Sequence, residues 1–403
     1  MNILIITSGY LPTPAVRGGA VENLIDFIIE DNEIYKNHEI ILYSVYDKKI
    51  PEFNKYEKCQ VNYINTESIR YKISRLFRGI INKIPGVYIG NAYICRVKKM
   101  IKKEDLDNID FIIIENCPEF SLVIEKKLHK KLILHLHNDN LNNKTKLNKR
   151  IFNSYFKILT VSNFISNRVK KIDETSANKV NVLYNGIDLS KFNSELYDLK
   201  ETRKKYNISK SDKVIMFSGR LVREKGIREL IEAFIKIERT HDLKLLIVGG
   251  LSYSNNDEDS YVKELRKLSR EYSDRIIFTG FVNYEEIPKL YAIADIGVIP
   301  SLCNDAFNLT TIEFMQNEVP VIVSSNGAMK ELITPDCGIV VEYDDKFIES
   351  LREAIIKLLD NRLRLQMGKN ARIQANKFSK EIYCERFNKL LNIFEMENYN
   401  NEK

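Results

Sequence analysis

Along the chain, short runs of β-branched and aliphatic residues alternate with longer stretches whose apolar positions recur every three or four residues. The runs Ile3–Thr7, Ile40–Ser44, Phe111–Glu115, Leu132–Leu136 and Ile158–Val161 predict a first series of strands. A second series is predicted at Val214–Ser218, Leu243–Val248, Ile276–Phe278, Ile296–Ile299 and Val319–Val323. Between them, amphipathic segments such as Ile227–Glu238 and Tyr261–Tyr272 read as helices. Strands that are apolar throughout are covered on both faces, so each series predicts a parallel sheet flanked by helices. The polar stretch from Gly186 to Ser211, opened by the turn signal Asn185-Gly186, separates the two series. The expected organisation is two doubly wound α/β domains, residues 1–187 and 188–378. A final helix over 379–403 follows, with Ser379 as its N-cap. Ligands of such folds sit outside the carboxyl ends of the strands, which puts the expected site in a cleft between the two domains.

Composition narrows this picture only in part. A hydrophobic content of 44% excludes a disordered chain, and 403 residues are more than one compact core holds. The six cysteines are scattered without a CxxC pair, which argues against a zinc site or a disulfide framework and fits a reducing cytosol. The opening residues Met1 to Thr7 lack the basic start of a signal peptide, and no apolar run approaches the roughly 18 residues of a membrane span. The expectation is a cytoplasmic protein.

Charge changes the picture more, because it is uneven. Residues 1–188 hold 29 basic and 21 acidic side chains, whereas the remainder holds 33 and 34. Residues 70–103 contain ten bases and no acid. There the bases alternate with Ile, Leu, Phe77, Tyr88 and Tyr93, which on helices predicts an apolar face rimmed by cations and suited to an anionic membrane. The plainer alternative is a helix pair with a solvated basic face. No nucleic-acid-binding motif accompanies the charge.

Two stretches carry candidate chemistry. In Ser218-Gly219-Arg220-Leu221-Val222-Arg223-Glu224-Lys225-Gly226, a strand ends at Gly219 and two cations follow before a helix, a suitable clamp for a diphosphate. Alone, the stretch reads equally well as a solvated loop. In Pro300-Ser301-Leu302-Cys303-Asn304-Asp305-Ala306-Phe307-Asn308-Leu309, a strand leads to a helix that carries Glu313. Such a turn offers free N–H groups to an anion, and its carboxylates can grip sugar or ribose hydroxyls. Alone, Asp305 reads as a helix cap and Glu313 as a charged helix residue.

Taken together, with Gly280-Phe281-Val282 and Val319-Pro320-Val321-Ile322 in the same order, the chain resembles the family-four retaining glycosyltransferases of the GT-B fold. Gly18-Gly19-Ala20-Val21-Glu22 and Tyr184-Asn185-Gly186-Ile187-Asp188 extend the resemblance over nearly the whole length. The resemblance implies two Rossmann-like domains and transfer of a sugar from a nucleotide-diphosphate donor to a saccharide acceptor, often lipid-linked, without metal or other cofactor. It implies that Arg220 and Lys225 hold the diphosphate, that Asp305 contacts the transferred sugar, and that Glu313 binds the ribose. Phe281 and Val282 would lie beside the base, with Gly219, Asn308 and Leu309 in the donor pocket. Gly18 and Gly19 would let the backbone approach the diphosphate, and His137 would face the sugar. The last helix would cross back to the first domain.

Two positions depart from the family pattern. Asp305 replaces the usual first Glu, and Asn308 replaces a Gly, bringing a side chain toward the expected diphosphate. They support an alternative in which a non-catalytic GT-B protein binds a glycan or partners an active transferase. His135 and His137 fall on the same side of one strand, but with no further ligand identifiable in the sequence a metal site is not expected. A nicotinamide oxidoreductase is set aside because no GxGxxG turn follows a strand.

Overall fold

The computed structural model describes residues 1–51, 56–238, 242–250 and 260–402. The chain divides into two compact units, Met1–Gly186 with Lys380–Lys403, and Ile187–Ser379.

In the first unit, seven strands form one sheet in the order β3-β2-β1-β4-β5-β6-β7. They are β1 (Asn2–Ile6), β2 (Glu39–Val45), β3 (Cys59–Ile64), β4 (Phe111–Glu115), β5 (Leu132–Leu136), β6 (Lys157–Thr160) and β7 (Val180–Val182). Every pair is parallel. The second unit repeats the plan with six strands, again all parallel, in the order β10-β9-β8-β11-β12-β13. These are β8 (Lys213–Ser218), β9 (Leu243–Val248), β10 (Ile276–Gly280), β11 (Ile296–Ile299), β12 (Val321–Ser324) and β13 (Gly338–Val341).

All ten expected strands are present, with ends moved by a residue or two. Three were not anticipated: β3, with alternating polar residues, β7, of three residues, and β13, which opens on a glycine. Each is an edge strand, where one-sided pairing relaxes the demand for a continuous apolar run. The expected helix over 227–238 runs Ile227–Ile235, and that over 261–272 is Ser260–Leu268 followed by a 3-10 turn at Arg270–Tyr272.

The last helix begins at Lys380 and runs to Glu402. It belongs to the first unit because Tyr383, Cys384, Phe387, Leu391 and Phe394 enter the same core as Ile3, Ile5, Phe111 and Ile133. Beside it on that face lies the helix Ala20–Tyr35, through Leu24, Ile25, Ile28 and Ile29. An ion pair between Lys157 and Glu397 fastens its far end. Fully burying one such aliphatic or aromatic side chain contributes roughly 1.5–3 kcal/mol, so Tyr383, Phe387, Leu391 and Phe394 together fix where this helix docks.

In each sheet the strand order reverses once, between β1 and β4 and between β8 and β11. Crossovers on opposite faces leave a crevice at the carboxyl end of such a point. The chemistry-bearing residues of each unit collect there.

Candidate active site

In the second unit, β8 ends at Ser218 and the chain turns through Gly219, whose φ is +152°. The backbones of Gly219 and Gly249 meet so closely that a Cβ on Gly249 would stand 2.0 Å from the Gly219 carbonyl oxygen. Only glycine permits that approach. Arg220 follows, exposed and without an ion-pair partner among the described residues. Three further residues form a 3-10 turn, Arg223–Lys225, closed by Gly226 in the left-handed region at φ +69°. A Cβ on Gly226 would lie 1.9 Å from the Pro300 carbonyl oxygen, and Leu302 N–H donates to the Glu224 carbonyl at 2.9 Å. The two motif stretches are therefore stitched together, backbone to backbone.

The result is a compact charge cluster. Lys225 Nζ donates to both oxygens of Asp305, at 2.7 and 2.9 Å. Ser301 Oγ donates to Asp305 Oδ2 at 2.9 Å, and the Asn308 amide donates to the same oxygen at 3.3 Å. Gly327 sits against the Asp305 backbone, where a Cβ would come within 2.3 Å of its carbonyl oxygen.

Asn308, not Asp305, caps the helix Leu309–Gln316: its Oδ1 accepts from Thr311 N–H at 3.0 Å. This corrects the reading of Asp305 as the helix cap. The Asn308 side chain turns back onto Asp305 and Thr311, and its φ of −113° needs no glycine. Leu309 opens the helix, whose first N–H groups lack intrahelical partners.

Glu313 lies one turn further on and is buried. Its position is set by the next residue, because Phe314 packs where a Cβ on Gly297 would fall 2.6 Å from the ring. The Tyr291 hydroxyl donates to Glu313 Oε2 at 2.7 Å. Burial without a cation pushes the Glu313 carboxyl up to about 7, and the Tyr291 hydrogen bond offsets only part of this. Tyr291 is fully buried, and burial beside Glu313 raises its hydroxyl well above the usual range. Phe281 and Val282 follow β10, half-buried, just after Gly280, whose carbonyl accepts from Gly249 N–H.

In the first unit, Gly18 and Gly19 have φ of +73° and +119° and lead into the helix Ala20–Tyr35. A Cβ on Gly19 would meet Glu22 Oε2 at 2.2 Å, whereas Gly18 faces open space. The loop is tethered by Asp26, which accepts from Ala15 N–H at 2.8 Å. Burial pushes the Asp26 carboxyl up to about 7, and burial also raises Glu22, helped by the nearby charge of Glu115.

His137 Nε2 is 2.8 Å from Glu115 Oε2, and its backbone N–H donates to the Asn116 side chain at 3.1 Å. His135 Nδ1 lies 3.2 Å from the same carboxylate oxygen, and the two imidazole centroids are 4.0 Å apart. Burial, with His135 alongside, lowers His137 to about 4, so the ring is neutral at pH 7; Glu115 and Asn185 act the other way. Burial opposes charge on Glu115, but the two histidines outweigh it and hold the carboxyl below its usual range. Among the described residues, no group meets hydrogen-bond geometry with His137 Nδ1 or His135 Nε2.

Glu115 corrects the view that no third ligand accompanies the histidines. Ligand atoms of Glu115, His135 and His137 lie within 4.8 Å of one another, close enough to hold a metal ion. The chemistry of the set suits the hydrogen-bonded arrangement equally, since a protonated ring nitrogen on each histidine satisfies the carboxylate. A cation would have to displace those protons.

Sequence reasoning missed Glu115, Tyr291 and Ser301. Glu115 ends a strand that was anticipated, and its pairing with His135 is a matter of register between β4 and β5. Ser301 lies inside the motif stretch but was given no role. Nothing in the sequence pointed to Tyr291.

The family model for "Glycosyl transferases group 1" matches residues 198–374, and that for "Glycosyltransferase Family 4" matches residues 36–191. The chain belongs to the family-four glycosyltransferases. It is 29% identical over 385 residues to the putative glycosyltransferase YtcC of Bacillus subtilis, covering 92% of this chain and 87% of that one. The capsular polysaccharide biosynthesis glycosyltransferase CapM of Staphylococcus aureus is 30% identical over 250 residues, covering 59% of this chain and 61% of its own. Among solved structures, Anabaena HepE in complex with UDP and glucose superposes with a TM-score of 0.71 at 19% identity, covering 97% of this chain and 99% of that chain. The fold is GT-B, two parallel-sheet α/β domains. The family is one of transferases, with polysaccharide-related members.

Proposed function

We propose that the protein is a retaining, metal-independent hexosyltransferase that moves a sugar from a nucleotide-diphosphate donor to a saccharide acceptor in surface polysaccharide biosynthesis. The observation that carries this reading is the pairing of Lys225 with Asp305, together with an exposed Arg220 that has no ion-pair partner among the described residues, on the loops that follow β8 and β11. Within that pair the charges cancel, and Arg220 leaves one cation free. An incoming diphosphate meets Arg220 first and draws Lys225 from Asp305, freeing a carboxylate for sugar hydroxyls. As the glycosidic bond to the diphosphate breaks, both cations stabilise the departing charge, the part of the work that pre-oriented electrostatics does best. Glu313, largely protonated or ionised according to a pKa near neutrality, accepts or donates toward ribose hydroxyls. His137, neutral and anchored by Glu115, presents Nδ1 as an unprotonated acceptor when Nε2 carries the proton.

The polysaccharide-related relative CapM supports a glycan acceptor. A lipid-linked acceptor, worked on at the inner face of the plasma membrane, accounts for the basic segment over 70–103. No helix among the described residues is long and apolar enough to cross a membrane.

The test is release of free nucleoside diphosphate from a panel of UDP-, GDP-, ADP- and dTDP-sugars in the presence of EDTA, with Arg220→Ala beside the wild type. Turnover of one donor, lost in the variant, is expected. Calorimetric silence toward every nucleotide would remove the transferase reading.

A further inference from the structure

The segment over 69–87 combines exposed apolar side chains with exposed bases. Serine 68 caps the helix Ile69–Ile81 by accepting from Tyr71 N–H. On that helix Ile69, Ile73, Leu76, Phe77 and Ile80 fall at i, i+4, i+7, i+8 and i+11, a single apolar stripe. The stripe faces outward: Ile69 is 76% exposed, Leu76 71% and Phe77 61%, and Ile84 and Val87 continue it beyond the helix. Tyr71 alone is turned fully inward. Exposed Arg70, Lys72 and Arg75 flank the stripe.

The neighbouring helix Ala92–Ile101 does the opposite. It buries Tyr93, Ile94, Val97 and Ile101, and the Tyr93 hydroxyl donates to the Tyr43 carbonyl at 2.6 Å. The expectation of one apolar face over the whole of 70–103 therefore holds for its first helix only. The second helix supplies cations instead. Lys98, Lys99 and Lys102 join Arg78 around a cavity of about 580 Å³ whose apolar wall includes Val123 and Ile124. Of these cations, Lys102 is paired with Glu125, at 3.6 Å, and Arg78 donates to the Ile89 carbonyl.

We propose that this face docks on an anionic phospholipid surface, the stripe entering the acyl boundary and the cation-lined cavity taking a lipid phosphate. It rests on the proposed function for its purpose, delivery of a membrane-bound acceptor, but not for its physics. Charge selects the occupant: ten bases and no acid over 70–103 repel a second copy of the same face. A nucleic acid would neutralise the bases and leave the stripe in water. A surface with phosphates above hydrocarbon satisfies both halves.

The experiment is flotation of the full chain with vesicles of phosphatidylglycerol and phosphatidylcholine, against vesicles of phosphatidylcholine alone, at low and high salt. Co-flotation with the anionic vesicles is expected, with at least a tenfold loss in Leu76→Ser/Phe77→Ser and, separately, in Lys98→Glu/Lys99→Glu. None of the four side chains is among the residues assigned to the donor, so both variants should retain nucleotide release and the wild-type circular dichroism. Absence of flotation at low salt, or flotation unaltered in both variants, overturns the docking surface. Wild-type chain that releases nucleotide but does not float locates the failure on this face, whereas wild-type chain that floats but releases no nucleotide locates it in the transferase reading.

Discussion

Glu115 in the first unit and Glu313 in the second are buried carboxyls near the point where their sheet's strand order reverses, yet their proton affinities move in opposite directions. Glu115 ends β4 between two imidazoles and is held below the usual carboxylate range, against the penalty of its own burial. The Glu313 carboxylate accepts from the Tyr291 hydroxyl, with no ion-pair partner among the described residues, and burial drives it up to about 7. The lesson is that depth alone does not set the charge state; the partner does. One unit holds a stable anion beside two imidazoles. The other holds a carboxyl whose charge is undecided near physiological pH, together with an ion pair, Lys225–Asp305, that an anion can pull apart.

The sharpest way to break the comparison is at that ion pair. Lys225→Ala removes a cation from the position assigned to the leaving diphosphate, and nucleotide release should fall by about 100–1000-fold. Retention of wild-type turnover would show that the pair is structural only.

A double effect, of next size, is expected from Glu313→Gln. Donor KM should rise at least tenfold, or about 1.4 kcal/mol, while stability moves the other way. Because the folded-state pKa lies above the ordinary carboxyl value, the folded state binds more protons between pH 4.5 and about 7, and stability falls as pH rises through that window. The penalty reaches about 3 kcal/mol by pH 8, so the amide should raise the melting temperature at pH 8 and do little at pH 5. A wild-type melting profile that is flat across this window, with no gain from the amide, would mean the carboxyl is paired in solution.

Glu115→Gln tests the other half. Its depressed pKa contributes stability that is present above pH 4.5 and lost as pH falls through the folded value. The amide should cost roughly 1–3 kcal/mol at pH 7 by leaving a buried histidine nitrogen without its acceptor. It should also reduce turnover less than Lys225→Ala does. Equal losses would move His137 and its carboxylate to the centre of the chemistry. Chelation sharpens the same point: EDTA followed by metal analysis should leave turnover unchanged, and a drop restored by one divalent ion would assign Glu115, His135 and His137 as its ligands.

The smallest effect belongs to Asn308. Replacement by Gly, the residue usual in the family, should cost only a few tenths of a kcal/mol, whereas Ala should cost about 1 kcal/mol through loss of the cap. Thermal melts of the two variants distinguish these outcomes.

Much of the fold was legible because buried parallel strands demand continuous apolar runs, and ten of them announce themselves. β3, β7 and β13 were not, since edge strands escape that demand. Gly219, Lys225, Asp305 and Glu313 could be picked out because they lie on local strand-to-helix turns whose order along the chain is itself a signature. The partners that set their chemistry could not. Tyr291 reaches Glu313 from a different helix, and Ser301 reaches Asp305 through the shape of a loop. The sign of an amphipathic face was equally hidden: periodicity located the helices around residues 70–101, but packing alone turned one stripe outward and the other inward.

The sequence by itself determined the alternation of strands and helices, the two-sheet plan, the family and the cationic segment, because these rest on local periodicity and short-range spacing. Only the tertiary structure decided that Asn308 caps its helix, that Glu115 stands between two histidines, and that the last helix completes the first unit's core. Those are contacts between residues distant in the chain or angles within a turn, and they follow from strand register, close backbone approach at glycine and the burial of specific side chains, none of which a linear pattern records.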